Sequence, residues 1–326
     1  MNKNSRLHTD SNLQNTVFSE IGIGILANSI LLLFHILKLI YGQKPKPMDL
    51  PIGFLALIHL IMLLITTVVA TDIFISWKGW DDITCKFLVY TYRIFRGFSL
   101  CTTSLLSVLQ AIILSPRSSC LAKFKHKSPY HILHALLLLN VFYMLISSHL
   151  LVSIIATPNL TLYNFMYVSQ SCSILPMSYL MQSTFSTLLA LREAFLIGLM
   201  ILSSGYMLAL LCRHKKQVRH LHSTSLSPKA SPEQRATQII LVLLSFFVLM
   251  SILDSIISCS RTMFLKDPTS YYIQLFVVHI YATVSPFVFM SMEKHIGNLL
   301  RSMCEGDKCG PSEEPASSIQ TLSALA

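Results

Sequence analysis

The chain has 326 residues, of which 53% are hydrophobic and 12% charged, with a formal net charge of +10. Ordinary soluble domains carry roughly 25% charged residues, and a mean hydropathy of +0.59 excludes a water-soluble globule. The basic excess is spread over short loops between apolar stretches, which argues against a nucleic-acid partner and for topology control at a lipid bilayer.

Seven apolar stretches are long enough to cross a membrane, near 20–41, 50–71, 86–115, 130–155, 187–212, 237–260 and 270–291. Each is predicted to be helical, because backbone exposed to lipid must satisfy its own hydrogen bonds. The expectation is an all-α membrane protein with a polar tail at 1–19, a seven-helix bundle at 20–291 and a second tail at 292–326. Residues 1–19 contain no early apolar region that would act as a cleavable signal, so the first span serves as its own insertion signal.

In the first span, Gly22-Ile23-Gly24-Ile25-Leu26-Ala27 imitates a dinucleotide-binding motif. It lies inside an apolar helix with no strand before it, so no cofactor follows. Asn28 is expected to hydrogen-bond between helices. His59 in the second span and His134 in the fourth read as buried structural histidines.

The third span is unusual. Cys85 stands at its start, and Arg93 and Arg96 lie ~12 and ~16 Å further along the helix axis at 1.5 Å per residue. A charge at that depth costs at least ~2.5–3.5 kcal/mol on insertion scales. Both arginines should therefore face the bundle interior or snorkel, on a face shared with Val89 and Tyr92. Two further interior polar residues lie at comparable depth, Asp254 in the sixth span and His279 in the seventh. An arginine paired with Asp254 or Glu193 could simply hold helices in register. Alternatively, the surplus positive charge could meet an acceptor or anionic group on a small apolar ligand.

The loops set the orientation. Sixteen basic residues fall on one side: Lys38, Lys44, Lys46, Arg117, Lys123, Lys125, Lys127, Arg213, Lys215, Lys216, Arg219, Lys229, Arg235, Lys294, Arg301 and Lys308. Seven fall on the other: Lys3, Arg6, Lys78, Lys86, Arg192, Arg261 and Lys266. The richer side is expected to be cytoplasmic, with the N-terminus outside. Asn159-Leu160-Thr161 is a glycosylation sequon in a loop assigned outside. Cys172 lies in the same loop, and an oxidising exterior permits a bridge to Cys85. The aromatic and Met-rich segment from Tyr163 to Tyr179 reads as loop packing or part of a lid over the bundle.

After the seventh span, Ile296, Leu299, Leu300 and Met303 recur at helical spacing, as in a short amphipathic helix on the membrane surface. Cys304 at its end is a lipidation candidate. His214, His220 and His222 lie in a basic loop without acid or thiol partners, so no metal site is read there. No P-loop, nucleophile elbow or zinc-protease helix occurs, and the chain reads as a non-enzyme.

A cysteine capping the third of seven helices, bridged to the second outer loop, resembles the G-protein-coupled receptors. Cys101-Thr102-Thr103-Ser104-Leu105-Leu106-Ser107-Val108-Leu109-Gln110-Ala111, running to Ser115-Pro116, resembles the third helix of the vomeronasal type-1 pheromone receptors. Ser204-Gly205-Tyr206-Met207 with Arg213-His214-Lys215-Lys216, Arg235-Ala236-Thr237-Gln238, and Ser285-Pro286-Phe287-Val288-Phe289 with Glu293-Lys294-His295-Ile296 are similar to the same family. Leu109-Gln110-Ala111 replaces the Asp-Arg-Tyr of the larger rhodopsin-like class, and His59 stands near its acidic sodium-site position. No ionic lock or sodium site is carried over.

The resemblance implies a plasma-membrane receptor of vomeronasal sensory neurons. It would bind a small-molecule pheromone and activate a heterotrimeric G protein of the inhibitory class. It places Val89, Tyr92, Arg93, Arg96, Asp254 and His279 at the ligand cavity. Arg117, Lys123, Lys125, Arg213, Lys215, Lys216 and Arg219 would face the G protein. The alternatives are a bitter-taste-type chemoreceptor and, remotely, a transporter or channel. The latter would call for paired repeats and helices broken at mid-membrane, which the sequence lacks.

Overall fold

The computed structural model describes residues 3–41, 48–75, 79–116, 129–156, 166–167, 171–175, 178–221, 241–253, 256 and 268–292. Its helices are α1 (Lys3–Ile40), α2 (Asp49–Ile75), α3 (Asp82–Leu114), α4 (Pro129–Ser147), α5 (Leu150–Ser153), α6 (Tyr179–Leu221), α7 (Leu241–Leu253) and α8 (Pro268–Met292). A small antiparallel sheet of β1 (Ile154–Ala156), β2 (Met166–Tyr167) and β3 (Cys172–Ile174) runs in the order β1-β3-β2.

Four of the described helical segments are long and apolar enough to cross a membrane: Gln14–Ile40, Asp49–Asp72, Asp82–Leu114 and Ser183–Arg213. Their outward faces fit that solvent. On α1, Ile23, Leu26, Ile30, Leu33, Leu37 and Ile40 are exposed at alternating spacings of three and four. On α4, Leu138, Phe142 and Leu145 do the same, and on α6 Leu191, Phe195 and Leu202 are exposed at spacings of four and seven. Apolar stripes of this length would be an aggregation liability in water, whereas lipid accommodates them.

The helices differ in extent from the predicted spans in three places. Helix α1 begins 17 residues before the predicted first span, because no glycine or proline interrupts residues 3–21. Helix α6 likewise extends beyond 187–212 at both ends. The predicted fourth span at 130–155 instead ends at Ser147. A turn, the short α5 and strand β1 follow, because β-branched Ile154 and Ile155 pair with β3 opposite Ile174 and Ser173.

Helix α3 is the hub, packing against α2, α4, α6 and β1. Its start is capped by Asp81, which accepts from the backbone N–H and hydroxyl of Thr84. Those bonds, the hydroxyl's first, hold the exposed Asp81 carboxyl below its ordinary pKa. Downstream, Ser99, Thr102, Thr103, Ser104, Ser107 and Gln110 are all buried, a polar stripe from which Ser99, Ser104 and Ser107 meet groups on α2 and α6. Gly97 permits the close approach of α4: a Cβ there would lie 1.9 Å from Cε1 of Tyr143.

The loop between α4 and α6 is tied down at three points. Cys85 and Cys172 form a disulfide with a Cα–Cα distance of 5.6 Å, as expected from their positions. Buried Asp72 at the end of α2 accepts from the Ser171 N–H (3.0 Å) and hydroxyl (2.6 Å). Asp82 accepts from the Ala156 N–H at 2.6 Å. One covalent and two charge-assisted links thus fix the sheet over the ends of α2 and α3.

Candidate functional site

Between α2, α3, α4, α6, α7 and α8 lies a small crevice, partly open to solvent. His59 and Met62 come from α2, with Arg96, Gly97, Ser99 and Leu100 from α3. Tyr143 belongs to α4, and Glu193 and Ile197 to α6. Phe247, Met250 and Ser251 on α7 face Val277, Tyr281 and Ala282 on α8. Apolar walls with a few convergent polar groups are the usual form of a small-molecule site.

The residues predicted for ligand binding separate into distinct places. Arg96 lines the crevice. Val89 packs instead against the buried Cys85, Cys172 and Ile154 at the disulfide end. Tyr92 and His279 pair beside the crevice, the phenol 3.1 Å from Nε2, and the same nitrogen lies 2.8 Å from the Thr66 hydroxyl. The Arg93 carbonyl accepts from the Tyr143 hydroxyl at 2.9 Å. Asp254 lies outside the described residues.

His59 reads differently from its sequence assignment. It is buried as expected, but it also forms part of the crevice wall. Its Nε2 is 2.9 Å from the Ser99 hydroxyl and its Nδ1 is 3.2 Å from that of Ser285. The ring meets Tyr281 edge-on at 5.5 Å, and Tyr281 meets Phe247 at 4.3 Å. One imidazole on the crevice wall therefore joins α2, α3 and α8. His134, by contrast, is exposed on α4, because the fourth span turns that side outward.

Arg192 was expected among the outer boundary charges, and its position corrects that assignment. It sits half-buried on α6, with Nη2 donating to the Gly97 carbonyl and to the Cys101 sulfur, both at 3.0 Å. Its guanidinium lies 3.8 Å from the Tyr143 ring centroid, within cation–π range. Removing it leaves six basic residues on the poorer side, which sharpens the charge asymmetry. The sequence signal available was a lone cation at the edge of an uncharged run, adjacent to Glu193.

At the end of the bundle away from the disulfide, the contacts of α3 are neutral, while Lys38 of α1 and Asp49 of α2 form an ion pair at 2.9 Å. Leu109, Gln110 and Ala111 are buried, and Gln110 donates to the Met48 sulfur. The hydroxyls of Ser115 and Tyr206 are 2.8 Å apart, joining α3 to α6, and those of Ser107 and Ser203 meet one interior level away. Buried Ala111, Met207 and Leu244 close this end. Arg213 and Lys216 are exposed near the end of α6. Lys215 and Arg219 lie on the same helix with side chains outside the description, and Arg117, Lys123, Lys125, Asn159 and Cys304 lie outside the described residues.

A model of the vomeronasal organ pheromone receptor family matches residues 11–302. Vomeronasal type-1 receptor 94 of Rattus norvegicus is 75% identical over 305 residues, 94% of this chain and 94% of that protein. Vomeronasal type-1 receptor 45 of Mus musculus is 74% identical over 301 residues, 92% and 95% of the two chains. Vomeronasal type-1 receptor A14 of Rattus norvegicus is 72% identical over 309 residues, 95% and 91%. With a family match across nearly its whole length and relatives at this identity, the chain belongs to the vomeronasal organ pheromone receptor family, the vomeronasal type-1 receptors.

Proposed function

We propose that the chain is a seven-span pheromone receptor of the plasma membrane of vomeronasal sensory neurons. It binds a small chemosignal in the central crevice and activates a heterotrimeric G protein of the inhibitory class. The proposed layout has residues 1–19 outside, the bundle at 20–291 and the tail at 292–326 in the cytoplasm. The asymmetry of basic residues supports this orientation. So does the Cys85–Cys172 disulfide, which requires an oxidising compartment at that end. In this orientation Asn159 is a glycosylation site. Arg117, Lys123, Lys125, Arg213, Lys215, Lys216 and Arg219 face the G protein, and Cys304 carries a lipid.

The observation that carries the reading is the crevice itself: a mostly apolar cavity between helices with Arg96 on its wall. A guanidinium in apolar surroundings favours ligands that bring an acceptor or an anionic group. Tyr92 and His279, which pair with each other, and Arg93 and Asp254 are further proposed ligand contacts, and Val89 supports the disulfide end. Ligand binding shifts the packing of α7 and α8 around His59 and Tyr281, and the shift reaches the cytoplasmic end as a change in population.

The test is nucleotide exchange on an inhibitory-class heterotrimer in membranes reconstituted with the full chain, challenged with a panel of small volatile and non-volatile compounds. Acceptor-bearing compounds should stimulate exchange, and Arg96→Gln should weaken them selectively. Solute flux without any exchange response would overturn the receptor reading. Equal activation of wild type and Arg96→Gln by every active compound would overturn the role of Arg96.

A further inference from the structure

Arg192 is held in place by the same residues that line the crevice. Gly97 and Tyr143 belong to the crevice wall, as does the next residue, Glu193. Gly97 supplies the carbonyl that accepts from Nη2, and Tyr143 supplies the ring covering the guanidinium. Tyr143 is itself pinned, since its hydroxyl donates to the Arg93 carbonyl and its ring fills the space over Gly97. The cation therefore sits in a fixed orientation directly behind the wall.

Its donors are unevenly used. Nη2 serves two acceptors, whereas Nη1 is buried and has no acceptor among the described residues. A buried donor on a charged group left without an acceptor is costly, and an acceptor supplied to it is correspondingly strongly held. Arg96, on the crevice wall itself, already has an interaction within the protein, whereas Arg192 lies behind that wall. Glu193 beside Arg192 disfavours a second negative group.

We propose that Arg192 is a second anion-binding group, behind the wall that carries Arg96, with Nη1 taking an oxygen of a monocarboxylate that enters past the edge of Tyr143. This rests on the crevice being the ligand site. It adds a residue on α6 to a site otherwise assigned to α3, and narrows the ligand class to compounds with one anionic head and an apolar body. Tyr143 acts as the positioning residue that keeps the guanidinium flat against the wall.

The test uses the full chain in lipid nanodiscs, with thermal unfolding followed during titration of 4-phenylbutanoate or its methyl ester. Wild type should be stabilised at lower concentrations of the carboxylate than of the ester. Arg192→Gln and the charge-conserving Arg192→Lys should each raise the carboxylate concentration for half-maximal stabilisation by about tenfold or more, with the ester unchanged. That loss is the scale of one charge-assisted hydrogen bond. Arg192→Lys keeps a cation and a donor for Gly97, so it remains informative where Arg192→Gln does not fold. Equal responses to carboxylate and ester in wild type, or an unaltered carboxylate response in Arg192→Lys, would overturn the assignment. A control, Ser251→Trp, fills the crevice from α7 and should abolish both responses; their survival would overturn the crevice reading, and this assignment with it.

Discussion

The side-chain amide of Asn28 donates a 2.9 Å hydrogen bond to the Ala282 carbonyl, the oxygen that Pro286, four residues later in α8, leaves without its helical partner. Proline has no N–H, so an interior proline always frees the carbonyl one turn before it. In lipid there is no water to take that carbonyl, and a neighbouring helix must. Asn28 does so with one amide hydrogen and uses the other on the Gly24 carbonyl of its own helix at 2.8 Å. Helices α1 and α8 are thus joined at the weakest rung of α8. Close contact of Gly24 with Thr283, where a Cβ would lie 2.7 Å from the hydroxyl, brings the two backbones near enough.

This relationship predicts a non-additive pair. Asn28→Ala should lower the unfolding free energy by about 1–3 kcal/mol, the cost of orphaning a buried carbonyl. Pro286→Ala restores the N–H, so Asn28→Ala should cost less in that background. Thermal unfolding of the four proteins in nanodiscs checks it; equal costs of Asn28→Ala in both backgrounds would show that the bond does not depend on the proline.

A second prediction concerns the loop between α4 and α6. Asp72→Ala removes the carboxylate that accepts from the Ser171 N–H and hydroxyl. It should cost about 1.5–3 kcal/mol, as for hydrogen bonds to a charged group, and reduce delivery to the cell surface. Ser171→Ala removes only the hydroxyl and should cost less. Thermal unfolding together with surface labelling of the two variants distinguishes them, and equal losses would put the anchor elsewhere than the Ser171 N–H.

How much of this was legible beforehand depends on whether the signal was local. The disulfide could be expected because Cys85 and Cys172 lie at predictable points relative to apolar runs. Asn28 could be expected to bond between helices because an amide within an apolar span has few other options. Its partner could not be named, since that depends on which helix lies against α1. Arg192 was misread for the same reason. A cation at the edge of a span looks like a boundary charge until packing at Gly97 brings Tyr143 and the α3 carbonyl to it. Strand β1 was absorbed into the fourth span because Ile154 and Ile155 are apolar in either structure, and only pairing with β3 decides between them.

The contact at Gly97 supplies a third prediction. Gly97→Ala places a methyl group 1.9 Å from Cε1 of Tyr143, so α4 or the ring must move. Overpacking of this kind costs about 1–3 kcal/mol. Tyr143→Val makes room, and the double variant should be more stable than the sum of the two single changes predicts. Unfolding curves for the cycle check the claim, and simple additivity would contradict it.

The last prediction concerns the end of the bundle away from the disulfide. There, Leu109-Gln110-Ala111 offers no charge with which to lock α3, and the described tie to α6 is the neutral Ser115–Tyr206 hydrogen bond. A neutral bond of this kind contributes about 0.5–1.5 kcal/mol, which corresponds to a change of roughly 2- to 12-fold in a two-state population. If the described arrangement is the resting one, Tyr206→Phe should raise ligand-independent nucleotide exchange by a factor in that range. The substitution removes one oxygen and keeps the ring against α3. Ser115→Ala deletes the other half of the same bond and should raise basal exchange to a similar extent, with the double variant no higher than either single one. Basal exchange in reconstituted membranes, normalised to receptor number, measures all three. A fall in basal exchange with Tyr206→Phe would mean instead that the bond belongs to the active packing of α3 and α6.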